Sequence, residues 1–388
     1  MSHSSLVPIV EQLKHEIAHQ VPYYFPWKGE GFAFHDLPFS NKQLINKHRD
    51  QLERMPQGKI YDSYTSGTTG IPYRCIRSAE EQCKLSAAIF RNRRRWGVPL
   101  RHRMLLLSNR MSDEPKMMQH YVQQMSAQQP HFIQGRFSSL FQLAQYMKEQ
   151  QIQPPPGLLF IQNWGESVIP SQRAFVESVF GVRLADYYGL EEMWLIAFEA
   201  PDGRFIVDEQ VVFVEVIDPD TLQPVADGEY GEIVVTSLVM RTVPYIRYRT
   251  GDIGKIWRDE HSGGLCIHLM PMRMSQIILP NRQVNAAFFR YFDKFFYDLF
   301  QQQSIRQFQI VQTAYTSFTL RVAADEHVQL EHLEKSLHTL LGNFLHIEVD
   351  VSIERVSRIL SNSESGKVPF FVTQVQVQTE QAERGVVV

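Results

Sequence analysis

Short apolar runs alternate with amphipathic stretches through the first half of the chain. "RMLLLSN" (Arg103 to Asn109) and "LLFIQNW" (Leu158 to Trp164) are brief and almost wholly apolar, the pattern of strands buried on both faces. Between them, "SLFQLAQYMKEQ" repeats apolar residues at helical spacing, and "QPPPG" (Gln153 to Gly157) stops that helix. "SQRAFVESVFG" predicts a helix with Ser171 near its N-cap and Gly181 just past its end. "VRLADYYG" then returns to strand. Strands alternating with helices predict an α/β architecture with largely parallel pairing.

The pattern changes after Gly203. "FIVDEQVVFVEVIDPDTLQPVADGEYGEIVVTSL" has β-rich stretches parted by the turn formers "DPDT" and "DGEYG", which predicts antiparallel strands or a small barrel. Beyond Arg273, "AAFFRYFDKFFYDLF", "FTLRVAAD", "LEHLEKSLHTLLGNF" and "IEVDVSIERV" predict helix, strand, helix, strand. Phe288, Phe292, Phe295 and Leu299 form a core stripe on the first helix, and Phe289, Phe296 and Phe300 a second apolar side for packing between domains or in a homodimer. The expected fold is therefore α/β: a large N-terminal domain (1–274) of mixed β-sheets flanked by helices with a β-rich part, and a small C-terminal α+β domain (275–388).

Composition narrows the function classes. A chain of 388 residues with 44% hydrophobic content can build two cored domains, and a formal charge of −3 favours neither nucleic acid nor an anionic membrane as partner. No run of about 18 apolar residues predicts a membrane helix. The N-terminal "MSHSSLVPIVEQLKHEIAHQ" reads as an amphipathic helix rather than a secretion signal. Cys75, Cys83 and Cys266 have no zinc-site spacing and no even count for disulfides, and a reducing cytoplasm is the simplest setting. "RNRRRWGVPLRHR" (Arg91 to Arg103) is the one concentrated basic stretch. It suits a solvated helix end or attraction of an anionic partner.

Four stretches carry candidate chemistry. In "YTSGTTGIPYRC", Gly67 and Gly70 permit close approach of backbone to a polyanion, while Thr65, Ser66, Thr68 and Thr69 offer hydroxyl donors. No Gly-Lys-Ser/Thr follows, so this is not a Walker loop, and a solvated turn has the same composition. "YYGLEEM" sets two carboxylates at the end of a predicted strand, where α/β folds bind ligands. "YIRYRTGD" ends in Asp252 after a glycine turn, placed to accept from a pair of ribose hydroxyls. "ESGKVPFF" puts Lys367 in a polar loop. Each alone also has a bland account as strand end, hairpin turn or surface lysine.

In this order and at these intervals, the stretches resemble the adenylate-forming superfamily of acyl-CoA synthetases and adenylation domains, and its phenylacetate–CoA ligase branch above all. "DPDTLQPVADGEYGEIVVTSLVMRTVPYIRYRTGD" and the earlier "LPFSNKQLINKHRDQL" look like that branch. The likeness is densest from Tyr61 to Arg273 and weak from Asn285 to Ile359. It implies attack of a carboxylate on the α-phosphate of ATP, release of pyrophosphate, and transfer of the acyl group to CoA or a carrier-protein thiol. Thr65 to Gly70 (Thr65, Ser66, Gly67, Thr68, Thr69, Gly70) would hold the β- and γ-phosphates. Gly165 and Glu166 would line the adenine site, with Tyr188 on the base. Glu192 would help bind Mg2+, Asp252 would take the ribose hydroxyls, Arg273 would lie near the ribose, and Lys367 would be the mobile catalytic lysine. Asn163, Trp164, Tyr187, Met193 and Trp194 would line the acid, and an aromatic wall suits an aryl carboxylate.

The departures from that pattern carry expectations of their own. Ile71 and Tyr73 stand where the family often has lysine, so Arg74 or Arg77 is expected to supply the charge. Glu191 replaces the usual hydroxyl residue before Glu192, giving a double carboxylate. Ser275 and Gln276 replace the acids of the hinge, which puts the second half-reaction in question. The resemblance further implies a secondary-metabolite setting of siderophore or phenazine type. An acyl-protein synthetase for fatty acids and a non-catalytic nucleotide-binding homologue are the rival readings.

Overall fold

The computed structural model describes residues 3–65, 73–108, 115–166, 168, 170–273, 276–285, 295, 305–324, 326, 328–357, 359 and 371–375. Two compact units emerge: 1–168 with 172–218 and 223–269, and 270–388 with the short pieces 169–171 and 219–222. The loop residues Ser66 to Gly70, together with Ile71, lie outside the described residues, as do Ser275, Lys367 and, apart from Phe295, the segment "AAFFRYFDKFFYDLF".

The first unit opens with α1 (His3–Gln20), α2 (Lys42–Lys47) and α3 (Arg49–Leu52), followed by the antiparallel hairpin β1 (Ile60–Thr65) and β2 (Tyr73–Ser78). Thr65 pairs with Tyr73 at the end of this ribbon, and the residues between them lie outside the described ones. Helix α4 (Ala79–Arg95) starts at a capping box: Ser78 Oγ accepts from Glu81 N, and the Glu81 carboxylate accepts from Ser78 N.

A parallel sheet follows, in the order β3 (Met104–Leu106), β4 (Phe132–Gly135), β5 (Phe160–Asn163) and β6 (Leu184–Ala185). Helices α5 (Pro115–Gln128), α6 (Phe137–Glu149) and α7 (Pro170–Phe180) connect its strands. Both faces are covered along β4 and β5. The edge strand β3, expected from its apolar run to be buried on both faces, instead leaves Met104 and Leu106 exposed and buries only Leu105. Phe132 and Phe160 stack at 5.2 Å in the core that contains Leu85 and Ala88 of α4. Ile133 and Ile161, one residue on, enter the core built with Leu140, Leu143 and Val176. Helix α7 starts at Pro170, beside the expected Ser171, and Gly181 follows it at φ +66°.

"VRLADYYG" divides rather than forming one strand. Leu184–Ala185 closes the parallel sheet, and β7 (Tyr187–Tyr188) opens a second one. That sheet runs β10-β11-β12-β13-β9-β8-β7, with β8 (Ala197–Glu199), β9 (Phe205–Val207), β10 (Val212–Ile217), β11 (Gly231–Ser237), β12 (Tyr248–Arg258) and β13 (Leu265–Arg273). Its β7–β8, β8–β9, β9–β13, β10–β11 and β11–β12 pairs are antiparallel. The texture change after Gly203 thus marks strands that join a seven-stranded sheet.

In the second unit, β14 (Gln276–Ile278) pairs with β15 (Gln283–Asn285). A mixed sheet is ordered β18-β17-β16-β19, from β16 (Ile305–Gln312), β17 (Ser317–Ala324), β18 (Asp350–Arg355) and β19 (Phe371–Thr373). Helix α8 (Glu331–Leu345) buries Leu333, Leu337, Leu341 and Leu345, one stripe at steps of four. The described elements give the expected α/β body and smaller α+β part.

Candidate active site

The passage from the parallel sheet to the antiparallel one places Asp186 through Trp194 at the carboxyl ends of the parallel strands, the edge where open α/β sheets bind ligands. The turn depends on Gly189, because a Cβ there would stand 1.6 Å from the Trp194 carbonyl oxygen. Leu190 O accepts from both Met193 N (3.1 Å) and Trp194 N (2.6 Å), which closes the turn over the two glutamates.

Two nucleotide-site residues named from the sequence meet here. The Tyr188 hydroxyl donates to Asp252 Oδ2 at 2.8 Å although 64 positions separate them. Gly251, at φ +73°, turns the chain just before Asp252, and Thr250 Oγ1 accepts from Asp252 N at 3.0 Å. A third, Glu192, is buried with its side chain 2% exposed. Its Oε1 accepts from the Tyr248 hydroxyl at 2.7 Å and lies 3.2 Å from Lys42 Nζ. Tyr248 packs edge-on against Tyr245 (5.5 Å), and the Tyr73 hydroxyl donates to that of Tyr245 at 3.1 Å. Burial raises the pKa of all three tyrosines, and the Glu192 carboxylate raises them further, so they act as neutral donors and packing groups. Cys75 is buried beside them and its thiol is likewise raised, first by burial and then by Glu192, which leaves it unreactive.

Glu191 points to a different set of partners. Ser63 Oγ donates to its Oε1 at 2.5 Å, and Arg77 donates to its carbonyl (2.7 Å) and its Oε1 (3.2 Å). The Arg77 side chain is 3% exposed and its guanidinium lies 4.9 Å over the Trp194 ring. The first carboxylate of the pair is therefore a structural counter-ion on the β1–β2 ribbon. Both arginines nominated for the charge beside the loop have carboxylates of their own: Arg77 with Glu191, and Arg74 with Asp62 at 3.2 Å.

The acid- and adenine-lining candidates divide. Asn163 ends β5 and donates from Nδ2 to Glu166 O (2.7 Å) and Asp186 Oδ1 (2.8 Å). Asn163 Oδ1 and Trp164 Nε1 are buried and, among the described residues, have no hydrogen-bond partner. Two such orphaned groups side by side fit a site that completes its bonding with a ligand. Gly165 adopts φ +75°, and the Glu166 carboxylate accepts from Ser138 N and Ser138 Oγ in the first turn of α6, so it caps that helix. Tyr187 and Trp194 are half-buried, whereas Met193 is fully buried in the core. Thr65 and Arg273 are described as strand ends only.

Beneath this edge lies a closed network that sequence reading missed. Asp186 N donates to Glu199 Oε2, and Arg173 donates to Glu199 Oε1 (2.7 Å) and Leu184 O (2.6 Å). Asp186 is partly buried as a residue, but protein surrounds its carboxyl, and that desolvation pushes its pKa up to about 6. The basic stretch also turns inward in part. Arg91 binds Asp208 twice at 2.7 Å, and Arg93 donates to Gln134 (2.7 Å) and Gln162 (2.9 Å), its pKa lowered by burial to about 10.

A magnesium ion carried by a nucleotide needs few protein ligands, since phosphates and water fill most of its shell. Among the described residues no cluster of three or more His, Cys, Asp or Glu could hold a metal by itself. A single buried carboxylate, Glu192, fits the first requirement. No described helix is long and apolar enough to cross a membrane.

No family model matches the chain. It is similar to the phenylacetate-coenzyme A ligase of Pseudomonas putida, 30% identical over 138 residues, which is 33% of this chain and 30% of that one. The Escherichia coli phenylacetate-coenzyme A ligase is 33% identical over 91 residues, 22% of this chain and 21% of its own. Each match thus spans less than a third of the curated relative. A solved 2-hydroxyisobutyryl-CoA ligase, in complex with an acyl-adenylate in the postadenylation state, shares the fold across 96% of this chain and 89% of its own, with TM-score 0.69 at 16% identity. These likenesses show two things: about a third of the chain is similar in sequence to phenylacetate-coenzyme A ligases, and its fold is that of a solved acyl-CoA ligase.

Proposed function

We propose that the protein is an acid–thiol ligase that adenylates a small aromatic carboxylic acid with ATP and passes the acyl group to CoA or a carrier-protein thiol. The observation that carries this reading is the Tyr188–Asp252 hydrogen bond, with Glu192 buried four residues after Tyr188. A ring, a carboxylate acceptor and a buried carboxylate support the reading, because they suit a base, a ribose and a metal in turn.

In this reading Tyr188 faces the base, Asp252 accepts from the ribose, and Thr65 to Gly70 hold the outer phosphates. Glu192 takes the nucleotide's magnesium, which supplies charge neutralisation at the phosphates when bound. Lys367 neutralises charge that builds around the α-phosphate as one anion meets another. Tyr187 and Trp194 offer ring faces to the acid, and Asn163 Oδ1 and Trp164 Nε1 offer an acceptor and a donor. A place in secondary metabolism is part of the same proposal.

ATP–pyrophosphate exchange tests it over a panel of aryl acids, short hydroxy acids and long-chain fatty acids. Exchange supported best by an aryl acid is the expected result. Preference for long chains would favour an acyl-protein synthetase, and nucleotide binding without exchange on any acid would leave a non-catalytic homologue.

A further inference from the structure

Lys42 has no part in the reading so far, yet its ammonium is 3.2 Å from Glu192 Oε1. It also lies 5.9 Å from the ring centroid of Tyr73, the residue that re-enters β2 directly after the hydroxyl-rich turn. Local structure puts it there. Ser40 N donates to Arg247 O, Arg249 N donates to Ser40 O, and Ser40 Oγ donates to Ile246 O, which ties this segment to the strand carrying Tyr248. Asn41 Oδ1 then accepts from Leu44 N and starts α2, so that Lys42 is its first residue.

The charges around the turn leave Lys42 a second use. Arg77 is locked against Glu191 and Arg74 is paired with Asp62. The Lys42 side chain, by contrast, is 38% exposed on a flexible four-carbon stem, while its carboxylate partner is 2% exposed. A carboxylate withdrawn this far from water needs a counter-charge at all times. A magnesium ion at Glu192 would supply that charge and would repel the ammonium next to it.

We propose that Lys42 exchanges partners: it neutralises Glu192 before nucleotide arrives, and it moves onto the β- or γ-phosphate when magnesium reaches the carboxylate. Every charge stays paired throughout, and the Tyr248 hydroxyl keeps Glu192 aimed during the exchange. Lys42 thereby supplies a cation to the phosphates from outside the Thr65 to Gly70 sequence, which has none. This inference rests on the ATP-dependent reading and adds to it a specific phosphate contact.

Equilibrium calorimetry in the absence of acid tests it, with Mg–ATP and with AMP as separate ligands. Lys42→Met should weaken Mg–ATP binding at least about tenfold, the loss of one charged hydrogen bond, while AMP binding changes less than about twofold. Lys42→Arg should restore part of the ATP affinity. If Lys42→Met does not fold, Lys42→Gln carries the same comparison. Equal weakening of ATP and AMP, or no weakening of either, would overturn the exchange while leaving the ATP reading intact. Wild-type protein that binds neither nucleotide would overturn both.

Discussion

The eight residues from Asp186 to Met193 separate two polar networks of opposite character. Below the sheet edge, Asp186, Glu199 and Arg173 bond mainly to one another and to backbone. Asn163 Nδ2 joins them, while its Oδ1 stays without a partner among the described residues. At the rim, Tyr188 bonds to Asp252 and Glu192 accepts from Tyr248. The lower network is a brace: fixed partners hold the crossover between two sheets at the cost of a strained titration. In the proposed function, the rim holds groups whose partners are exchanged for those of a ligand. Substitutions should accordingly change stability below and binding or rate above.

The largest effects are expected at the rim. Glu192→Gln should slow adenylation by roughly 10²–10³, the usual loss for one preorganised electrostatic contact. Glu191→Gln, one residue away, should change the rate less than about fivefold, because Ser63 and Arg77 already hold that side chain. Lys367→Ala should slow adenylation as much as Glu192→Gln while leaving ATP affinity nearly unchanged. Single-turnover rates and nucleotide affinities measured on the three variants check this ranking. Equal losses at Glu191 and Glu192 would erase the distinction between counter-ion and metal carboxylate.

The family likeness already set Glu192 apart from Glu191 in the sequence, but the partners that hold Glu191, Ser63 and Arg77, were not legible there. The strands and helices were legible, because their periodicity follows from burial on one or two faces. Tyr188, Asp252 and Glu192 could be nominated as candidates because glycine turns flank them in motifs with family likeness. Their neighbours could not. Lys42 and Arg77 reach the site through tertiary packing, from positions 150 and 114 residues before their glutamates. Only "SN" before Lys42, an N-cap signal, hinted that its side chain is held in place. The break of "VRLADYYG" into two sheets was hidden for a related reason. An apolar alternation reads the same whichever sheet each half joins, and Asp186 marks the crossing only once its partners are known.

The brace should break differently. Arg173→Met removes the cation from Glu199, which is buried, and should lower the unfolding free energy by about 3 kcal/mol. Urea denaturation measures it, and nucleotide affinity at low denaturant should stay within a few-fold of wild type. A smaller loss in stability with a large loss in affinity would mean that the lower network belongs to the site.

Asp186 gives the brace a pH signature. Its folded pKa of about 6 exceeds the ordinary 3.8, so the folded state holds the extra proton. The stability it contributes is fully present below pH 3.8 and is lost as pH rises through about 6. Asp186→Asn keeps an oxygen for Asn163 Nδ2 and Tyr187 N and removes the titration. The variant should therefore gain stability relative to wild type as pH rises from 4 to 7, and urea midpoints across that range would show it. Parallel pH profiles for the two proteins would exclude Asp186 as the titrating group.

The smallest effect is the finest probe of the rim. Tyr188→Phe deletes one hydroxyl that donates to Asp252 and leaves the ring in place. A neutral hydrogen bond contributes about 0.5–1.5 kcal/mol, equivalent to about two- to tenfold in affinity. Asp252 without that donor is less firmly aimed, yet freer to accept from a ribose. The two consequences oppose each other, so AMP affinity should fall by no more than about threefold. Asp252→Asn should cost more, since an uncharged amide accepts less strongly from a pair of hydroxyls. The double variant should bind AMP about as weakly as Asp252→Asn alone, because the hydroxyl acts through the carboxylate. Strictly additive losses would instead assign Tyr188 a separate contact with the nucleotide.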